Sequence, residues 1–222
     1  MKYKQSILFS TNVLIVFSLA SCSSLKEASQ NNFKNAINQY FATHPSCFQL
    51  SQNKFPHYTG VSSRGRTLSN GGDGKMYDAM LAAGMLKAET KETQLGGGFG
   101  FVEVTQKIEL SEEGSREFSV NKGFCYGFRE VIDIKNFTEP TPSEKLGGKI
   151  SKVVYTYRIK DKKFWVDKLP LSSFSYGEIH GQTELYELFQ DAPALSGTAE
   201  DEASLVLTEK GWVDSREISS SR

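Results

Sequence analysis

The period of the hydrophobic pattern changes along this chain. In residues 32–43, apolar side chains recur at i, i+4, i+7 and i+8, which predicts an amphipathic helix. A second helical pattern over residues 76–81 is followed by Gly84, a residue type that accepts the left-handed conformation found after helix ends. One further helical turn is expected over residues 185–189, before Pro193.

From residue 102 onward the dominant period is two, which is typical of half-buried strands. The clearest segments cover residues 102–110, 124–134 and 153–159. Residues 205–213 indicate a hairpin whose short loop closes at Gly211. Helices early and strands late predict an α+β fold, with N-terminal helices followed by a mostly antiparallel β-sheet.

Glu130 is a charged residue at an apolar position of the period-two pattern over residues 124–134. Strict alternation places Glu130 on the apolar face with Phe128, and it places Arg129 on the opposite face. A β-bulge at Gly127, which would return Glu130 to solvent, is the favoured interpretation. The alternative is a buried carboxyl group with a raised pKa that could act as an acid.

The N-terminus differs from the rest of the chain. Lys2 and Lys4 precede an apolar run over residues 7–20, and this run of 14 residues is too short to span a bilayer comfortably. A basic start, a short apolar stretch and a small-residue site are typical of a secretory signal peptide. The site reads Leu19-Ala20-Ser21-Cys22.

This tetrapeptide resembles the lipobox of bacterial lipoproteins. The resemblance implies that residues 1–21 are a removable signal peptide and that Cys22 carries acyl chains such as palmitate. Several acyl chains on one residue anchor a protein stably without a basic patch. Ser23 resembles an outer-membrane sorting signal, so the expected location is the outer membrane, facing the periplasm.

The predicted order of segments follows from this anchor. Residues 22–31 comprise the lipidated Cys and a polar tether, and its eight flexible residues would reach only about 15 Å. Residues 32–216 are expected to form a single α+β domain, with a possible sub-boundary near residues 114–121. Residues 217–222 are expected to be a disordered tail.

Charge excludes two classes of protein. The 222 residues contain 26 Lys+Arg and 26 Asp+Glu, so the formal net charge is zero. Nucleic-acid binding driven by counterion release needs an excess of basic residues, as does a polybasic membrane-surface protein. Nucleic acid is therefore not an expected partner, and membrane contact is expected through the lipid anchor.

Cys47 and Cys125 remain once Cys22 is assigned to the lipid. An even pair in an oxidising compartment predicts one disulfide. It would enclose 77 residues, since 125 − 47 − 1 = 77, and loop-entropy arithmetic assigns such a bridge about 4 kcal/mol. The competing interpretation makes Cys47 a nucleophile, with His44 or His57 nearby in sequence.

Residues 76–118 locally resemble the core of a winged helix. The resemblance rests on AGML at residues 83–86, where a helix ends, and on LSEEG at residues 110–114, which matches the Leu-Thr-x-x-Gly turn with Ser111 in place of Thr. In that family DNA contact needs basic and amide side chains on the recognition helix. Here that helix offers Tyr77, Asp78 and Met80, so the resemblance implies a local shape, with a protein-binding role as the open possibility.

Metal and catalytic motifs are absent from the sequence. His44, His57 and His180 show no HxH, HExxH or CxxC spacing, and no G-x-S-x-G elbow is present. We therefore expect no metal and no cofactor. An enzyme of peptidoglycan or lipid metabolism, with a site assembled in three dimensions from residues such as Glu130, His57 and Asp73, is the alternative.

Trp165 follows Lys162, Lys163 and Phe164. The aromatic residues, Trp165 among them, are expected mostly to fill the core of the sheet. The alternative is that Trp165 is exposed, since an aromatic residue beside basic groups suits protein contact and sugar stacking alike. We take Trp165, Lys162 and Lys163 as the candidate binding residues. The leading hypothesis is a non-catalytic lipoprotein that binds an envelope protein or glycan, or contributes to envelope integrity.

Overall fold

The structure, a computed structural model, describes residues 24–52, 54–61, 72–94, 102–174 and 185–220. Its α-helices are α1 (Gln30–Thr43), α2 (Gly72–Ala82), α3 (Glu112–Glu117), α4 (Tyr186–Ser196) and α5 (Ser215–Ser220). Its strands are β1 (Ser46–Phe48), β2 (His57–Val61), β3 (Leu86–Gln94), β4 (Val102–Leu110), β5 (Phe118–Ser119), β6 (Gly123–Phe137), β7 (Thr141–Ser143), β8 (Gly148–Lys160), β9 (Ala199–Thr208) and β10 (Gly211–Asp214). Short 3-10 helices cover Ser24–Lys26, Phe164–Lys168 and Leu171–Ser173.

The strands form two antiparallel sheets. The larger sheet has the order β1-β6-β8-β9-β10, with β5 added beside β6 and β7 beside β8. The smaller sheet has the order β2-β4-β3. The chain is therefore an α+β protein with antiparallel sheets, as the sequence predicted.

The period-two pattern of β8 corresponds to a strand that buries one face. Val153, Tyr155, Tyr157 and Ile159 are all buried in the core. The predicted hairpin is also present, because β9 and β10 pair through Leu207 and Trp212 on either side of a tight turn. These local predictions are confirmed.

Helix α1 covers part of the larger sheet. Ser29 caps its N-terminus by accepting a hydrogen bond from the backbone N of Asn32 at 3.4 Å. Its apolar stripe packs into the core through Phe33, Ile37 and Phe41, all of which are buried.

A second stripe of α1 lies along the edge of β6. Beyond the segment paired with β1, no strand in the described part of the chain pairs with that edge. Gln30 and Lys34 donate to the carbonyls of Ile134 and Ile132 at 3.4 and 2.8 Å. Asn38 accepts from the backbone N of Val131 at 2.8 Å. The spacing of four residues thus places three polar side chains over a strand edge that would otherwise invite further pairing.

Helix α4 differs from its prediction. The sequence predicted a single turn that ends before Pro193, but the helix continues through Pro193 to Ser196. Leu188, Asp191 and Ala194 recur every three residues and are buried. This packing outweighs the cost of about 3 kcal/mol that a proline imposes inside a helix.

The segments on either side of the predicted domain contain helices that the sequence did not predict. Residues 24–26 form a 3-10 helix, and Trp212 donates its indole N–H to the Glu27 carbonyl at 3.0 Å, so this part of the predicted tether packs against the fold. Residues 217–220, predicted as a disordered tail, belong to α5. The single-domain interpretation of residues 32–216 stays a prediction.

The predicted signal peptide, residues 1–21, and Cys22, the residue predicted to carry the lipid, lie outside the described residues. Among the helices that the structure does describe, none combines the length and the hydropathy needed to cross a bilayer.

Candidate functional site

A β-bulge in β6 changes the direction in which its side chains point. Ser46 pairs with Gly127 and Cys47 pairs with Cys125, so Tyr126 is the extra residue. The bulge predicted at Gly127 is therefore present. Glu130 lies opposite Arg158 of β8 and forms an ion pair with it at 2.7 Å, with 31% of the Glu130 side chain exposed.

The same bulge overturns the prediction for Arg129. The sequence pattern placed Arg129 on the solvent face, but only 11% of its side chain is exposed. One extra residue in a strand moves every following side chain to the other face. Arg129 therefore enters the protein with its guanidinium over the ring of Tyr157, 4.8 Å from the ring centroid.

Asp191 of α4 is the centre of a buried polar cluster. It has no exposed surface, and its carboxylate accepts hydrogen bonds from the hydroxyls of Tyr126 at 2.6 Å and Tyr157 at 2.8 Å. Arg129 Nη2 lies 2.9 Å from Asp191 Oδ1. These four residues, which we call the Asp191 cluster, join α4 to the adjacent strands β6 and β8.

Arg129 also links this cluster to β9. Its Nη1 donates to Asp201 Oδ2 at 2.9 Å, and Tyr155 donates to the same oxygen at 3.3 Å. The guanidinium thus has one carboxylate on each side. Buried charges of this kind are tolerated only when they are paired and hydrogen-bonded.

Burial determines the protonation of the three tyrosines. It raises the pKa of Tyr126, Tyr155 and Tyr157 well above the ordinary value, and the neighbouring carboxylates of Asp191 and Asp201 raise it further. Burial alone would lower the pKa of Arg129, but the Asp191 carboxylate raises it and the net shift is upward. The tyrosines are therefore neutral donors and Arg129 is a cation at physiological pH. The Asp191 cluster and Asp201 therefore link α4 to strands β6, β8 and β9, and their polar groups bond to one another.

Two cavities of about 350 and 480 Å³ lie side by side, and Phe128 and Asp161 line both of them. The first is lined by Asn38, Ala42, Phe128, Arg129, Glu130, Lys160 and Asp161. The second is lined by Pro45, Arg116, Glu117, Phe118, Ser119, Cys125, Gly127, Phe128, Asp161 and Lys163. We call the combined space the Phe128 groove.

Ion pairs form part of the groove wall. Lys163 contacts Glu117 at 2.9 Å, which ties the segment after β8 to helix α3. Arg116 pairs with Glu113 at 3.1 Å and also with Glu112. The groove therefore combines the aromatic rings of Phe118 and Phe128 with charged groups of both signs.

Trp165 does not lie on the surface. It is fully buried, with ring centroids 6.0 Å from Phe48 and 6.1 Å from Phe124, so the prediction of an exposed anchor is wrong. The reason is the 3-10 helix Phe164–Lys168, in which Phe164 is 55% exposed and its neighbour turns inward. The indole N–H of Trp165 has no hydrogen-bond partner among the described residues.

The two lysines predicted beside Trp165 have separate roles. Lys162 lies 2.6 Å from Asp167 and donates to the Leu195 carbonyl at 3.0 Å, which links the segment after β8 to the C-terminal end of α4. Lys163 points to Glu117 and lines the Phe128 groove. Of the three predicted binding residues, only Lys163 contributes to the groove.

The predicted disulfide is present. Cys47 and Cys125 are bonded, at directly paired positions of β1 and β6. Cys47 is therefore not a free thiol, which removes the nucleophile alternative. His44 instead stacks on Tyr40 with centroids 4.0 Å apart, and its Nδ1 lies 2.8 Å from the Tyr40 carbonyl oxygen.

Two of the weak catalytic candidates, Glu130 and His57, lie on different sheets. Glu130 belongs to the larger sheet, while His57 belongs to the smaller one and stacks on Tyr77. The side chain of Asp73 and all of His180 lie outside the described residues. Within the ranges that the structure does describe, no group of three or more His, Cys, Asp or Glu side chains could hold a metal ion.

Sequence reasoning missed the Asp191 cluster. The alternating tyrosines of β8 were visible as core residues, but nothing in the local pattern linked them to Asp191 or Arg129.

No protein-family model, curated protein sequence or solved structure matches this chain.

Proposed function

We propose that this chain is a bacterial envelope lipoprotein that binds another envelope component in the Phe128 groove. Acylated Cys22 would anchor it in the outer membrane, facing the periplasm. The observation that carries the binding proposal is the pair of adjacent cavities that Phe128 and Asp161 both line, which offers aromatic surface beside charged groups of both signs. Such a combination suits a segment of protein or glycan, because aromatic rings supply contact area and the charges orient the bound chain.

The chemistry near the groove favours binding over catalysis. The carboxylate of Asp191 is already occupied by two tyrosine hydroxyls and Arg129. A general acid or base must place an atom that can donate or accept a proton within reach of the substrate. Of the Asp191 cluster only Arg129 lines the groove, and its guanidinium, a cation paired with Asp191 and Asp201, is not a base.

The disulfide supports the proposed compartment. A bridge between Cys47 and Cys125 is typical of proteins in oxidising environments. It leaves Cys22 as the third cysteine of the chain, which is the residue that the lipobox resemblance assigns to acylation.

The segment 76–118 is proposed to be a winged-helix-like module with a protein-binding role. The strand order β2-β4-β3 and the left-handed Gly84 after α2 support this. Ser111 Oγ donates to the Gly84 carbonyl at 2.6 Å and accepts from the Gly114 backbone N at 2.9 Å. The turn before α3 is thereby bonded to the end of α2.

The proposed membrane anchoring and localisation are tested by the intact mass of protein extracted from membranes. We expect a chain that begins at Cys22 with added acyl chains, in which two thiols react with an alkylating agent only after reduction. An unprocessed chain with free thiols would contradict both the compartment and the anchor.

The binding site is tested by photo-cross-linking in the native envelope. p-Benzoylphenylalanine in place of Phe128 should form adducts with one envelope component, while the same group in place of the exposed Phe164 serves as the matched control. Equal adducts from both positions would remove the groove as the site. Turnover of a peptidoglycan or lipid substrate that the Glu130→Gln variant abolishes would instead favour an enzyme.

A further inference from the structure

Leu25 and Glu27, near the start of the described residues, pack against and hydrogen-bond to one end of the larger sheet. The Glu27 carbonyl accepts from Trp212 Nε1 at 3.0 Å and from Asn32 Nδ2 at 2.9 Å. Leu25 passes so close to Gly211 that its carbonyl oxygen lies 3.1 Å from where a Cβ would stand at that glycine. Gly211 has a φ of 116°, so its conformation also favours glycine.

This fastening leaves little chain between the fold and Cys22. Ser24 comes two residues after Cys22, and two residues span at most about 7 Å. An anchor at Cys22 would therefore hold the fold against the bilayer. A flexible tether of eight residues, as the sequence alone predicted, would have allowed the fold to rotate freely.

Two turns of the larger sheet lie at the same end as Leu25. One is the β9–β10 turn, in which Thr208 pairs with Gly211. The other joins β7 to β8, and the pairing of Lys149 with Leu207 places it beside the first. We call Leu25 and these two turns the anchor end.

The Phe128 groove lies at the opposite end of the same strands. Strand β8 begins with Gly148 at the anchor end, and it ends with Lys160, which pairs with Phe128. A strand of 13 residues is about 40 Å long. The two ends of β8 therefore separate the lipid attachment from the groove by most of the length of the fold.

We infer that the anchor end is a membrane-contact surface that fixes the orientation of the protein, with the Leu25 side chain in the lipid interface and the Phe128 groove facing away. The inference rests on the proposed anchoring at Cys22. The Leu25 side chain is 52% exposed and apolar, and it is the exposed large hydrophobic residue nearest in sequence to Cys22. Apolar side chains at an interface lose water on contact with the acyl boundary.

The charges of the anchor end nearly cancel. Lys26, Lys145, Lys149 and Lys210 are exposed there, as are Glu27, Glu144 and Glu209, which leaves a single excess positive charge. Electrostatic attraction to anionic lipid therefore contributes little, and the orientation should change little between low and high salt.

The orientation is tested with full-length protein in vesicles of phosphatidylethanolamine and phosphatidylglycerol. One variant carries p-benzoylphenylalanine in place of Lys210 at the anchor end, and a matched variant carries it in place of Lys160 at the groove end. Both positions are exposed. We expect at least a tenfold excess of phospholipid adducts from position 210, measured by mass spectrometry. Equal adducts, or more from position 160, would overturn the inference.

Two further measurements separate the possible causes. Insertion of roughly twelve Gly/Ser residues between Ser23 and Ser24 should bring the adduct ratio close to one, because a longer linker frees the fold to rotate; a ratio that stays tenfold would show that the short link does not set the orientation. If the intact mass shows no acyl chains on Cys22, the proposed function fails. A maleimide phospholipid coupled to the Cys22 thiol then supplies the anchor, and the same two positions decide the orientation.

Discussion

Tyr126 donates its hydroxyl to Asp191 across 2.6 Å, and neither side chain has exposed surface. The two residues are 65 positions apart, on β6 and α4. Asp191 also accepts from Tyr157 and pairs with Arg129. The contact between helix and sheet therefore depends on a hydrogen-bonded charge at a place where most proteins use apolar side chains.

Replacement of Asp191 by Ala should lower the free energy of unfolding by about 3–5 kcal/mol. The change leaves two buried hydroxyls without their acceptor and removes one of the two carboxylates that neutralise Arg129. Glu130→Ala is the control, because its partner Arg158 is 56% exposed, and an exposed pair contributes about 0–1 kcal/mol. Urea unfolding measures both. Similar losses for the two variants would show that the Asp191 cluster adds no special stability.

Stability should fall steeply at high pH. Burial, aided by the neighbouring carboxylates, raises the pKa of Tyr126, Tyr155 and Tyr157, whereas in the unfolded chain each tyrosine titrates near its ordinary value of about 10. Below that pH the hydroxyls are neutral in both states and their contribution is complete. Above it the unfolded state alone loses protons, so the free energy of unfolding decreases by about 1.4 kcal/mol per pH unit for each tyrosine.

Two variants isolate this effect. Tyr126→Phe should make the pH dependence of urea unfolding between pH 10 and 11 shallower by about 1 kcal/mol, because the unfolded tyrosine is only half ionised at pH 10. Tyr58→Phe, at a side chain that is 64% exposed, is the control for the loss of a tyrosine hydroxyl. An unchanged slope for Tyr126→Phe would contradict the upward pKa shift.

Replacement of Gly114 by Ala should destabilise the junction between α2 and α3. A Cβ at this position would overlap the carbonyl oxygen of Met85, which is backbone and has little freedom to move. Overpacking of this kind costs about 1–3 kcal/mol. Ser115→Ala, at the exposed neighbouring position, should stay within about 0.5 kcal/mol. Thermal unfolding of the two variants distinguishes them, and equal melting temperatures would argue against the close contact.

Replacement by Ala should lower the stability greatly at Trp165 and hardly at all at Phe164. The loss of the buried indole should cost about 3–5 kcal/mol in unfolding free energy, whereas Phe164→Ala should change it by no more than about 0.5 kcal/mol. Neither variant should alter cross-linking from position 128, provided that Trp165→Ala is studied below its melting temperature. A stable Trp165→Ala protein would mean that this indole is not a core residue.

Local patterns were sufficient to predict the segments whose secondary structure follows from the spacing of their own apolar residues. Helix α1, strand β8 and the β9–β10 hairpin follow from apolar periods of about 3.6 and 2 and from the turn glycine. The position of Gly84 after α2 follows equally from the sequence. These features depend on neighbours within a few residues, so a single sequence contains the information.

The faces of β6 could not be read in the same way. The bulge at Tyr126 arises because β1, which begins at Ser46, pairs out of register with a strand nearly 80 residues away. Strict alternation consequently placed Arg129 in solvent and missed its contact with Asp191. The location of Trp165, core or surface, was left open by the sequence because its segment, the short 3-10 helix Phe164–Lys168, has no extended apolar period to follow.

The sequence by itself determined helix α1, strands β4 and β8, the β9–β10 hairpin, the α+β class and the cysteine pair, because these depend on residue type and short-range spacing. The tertiary structure decided which polar side chains are buried, where the groove lies and how closely the N-terminal segment is held. Those properties depend on strand register and on contacts between distant residues, such as Glu27 with Trp212 and Tyr126 with Asp191. No periodic pattern in the sequence encodes such pairs.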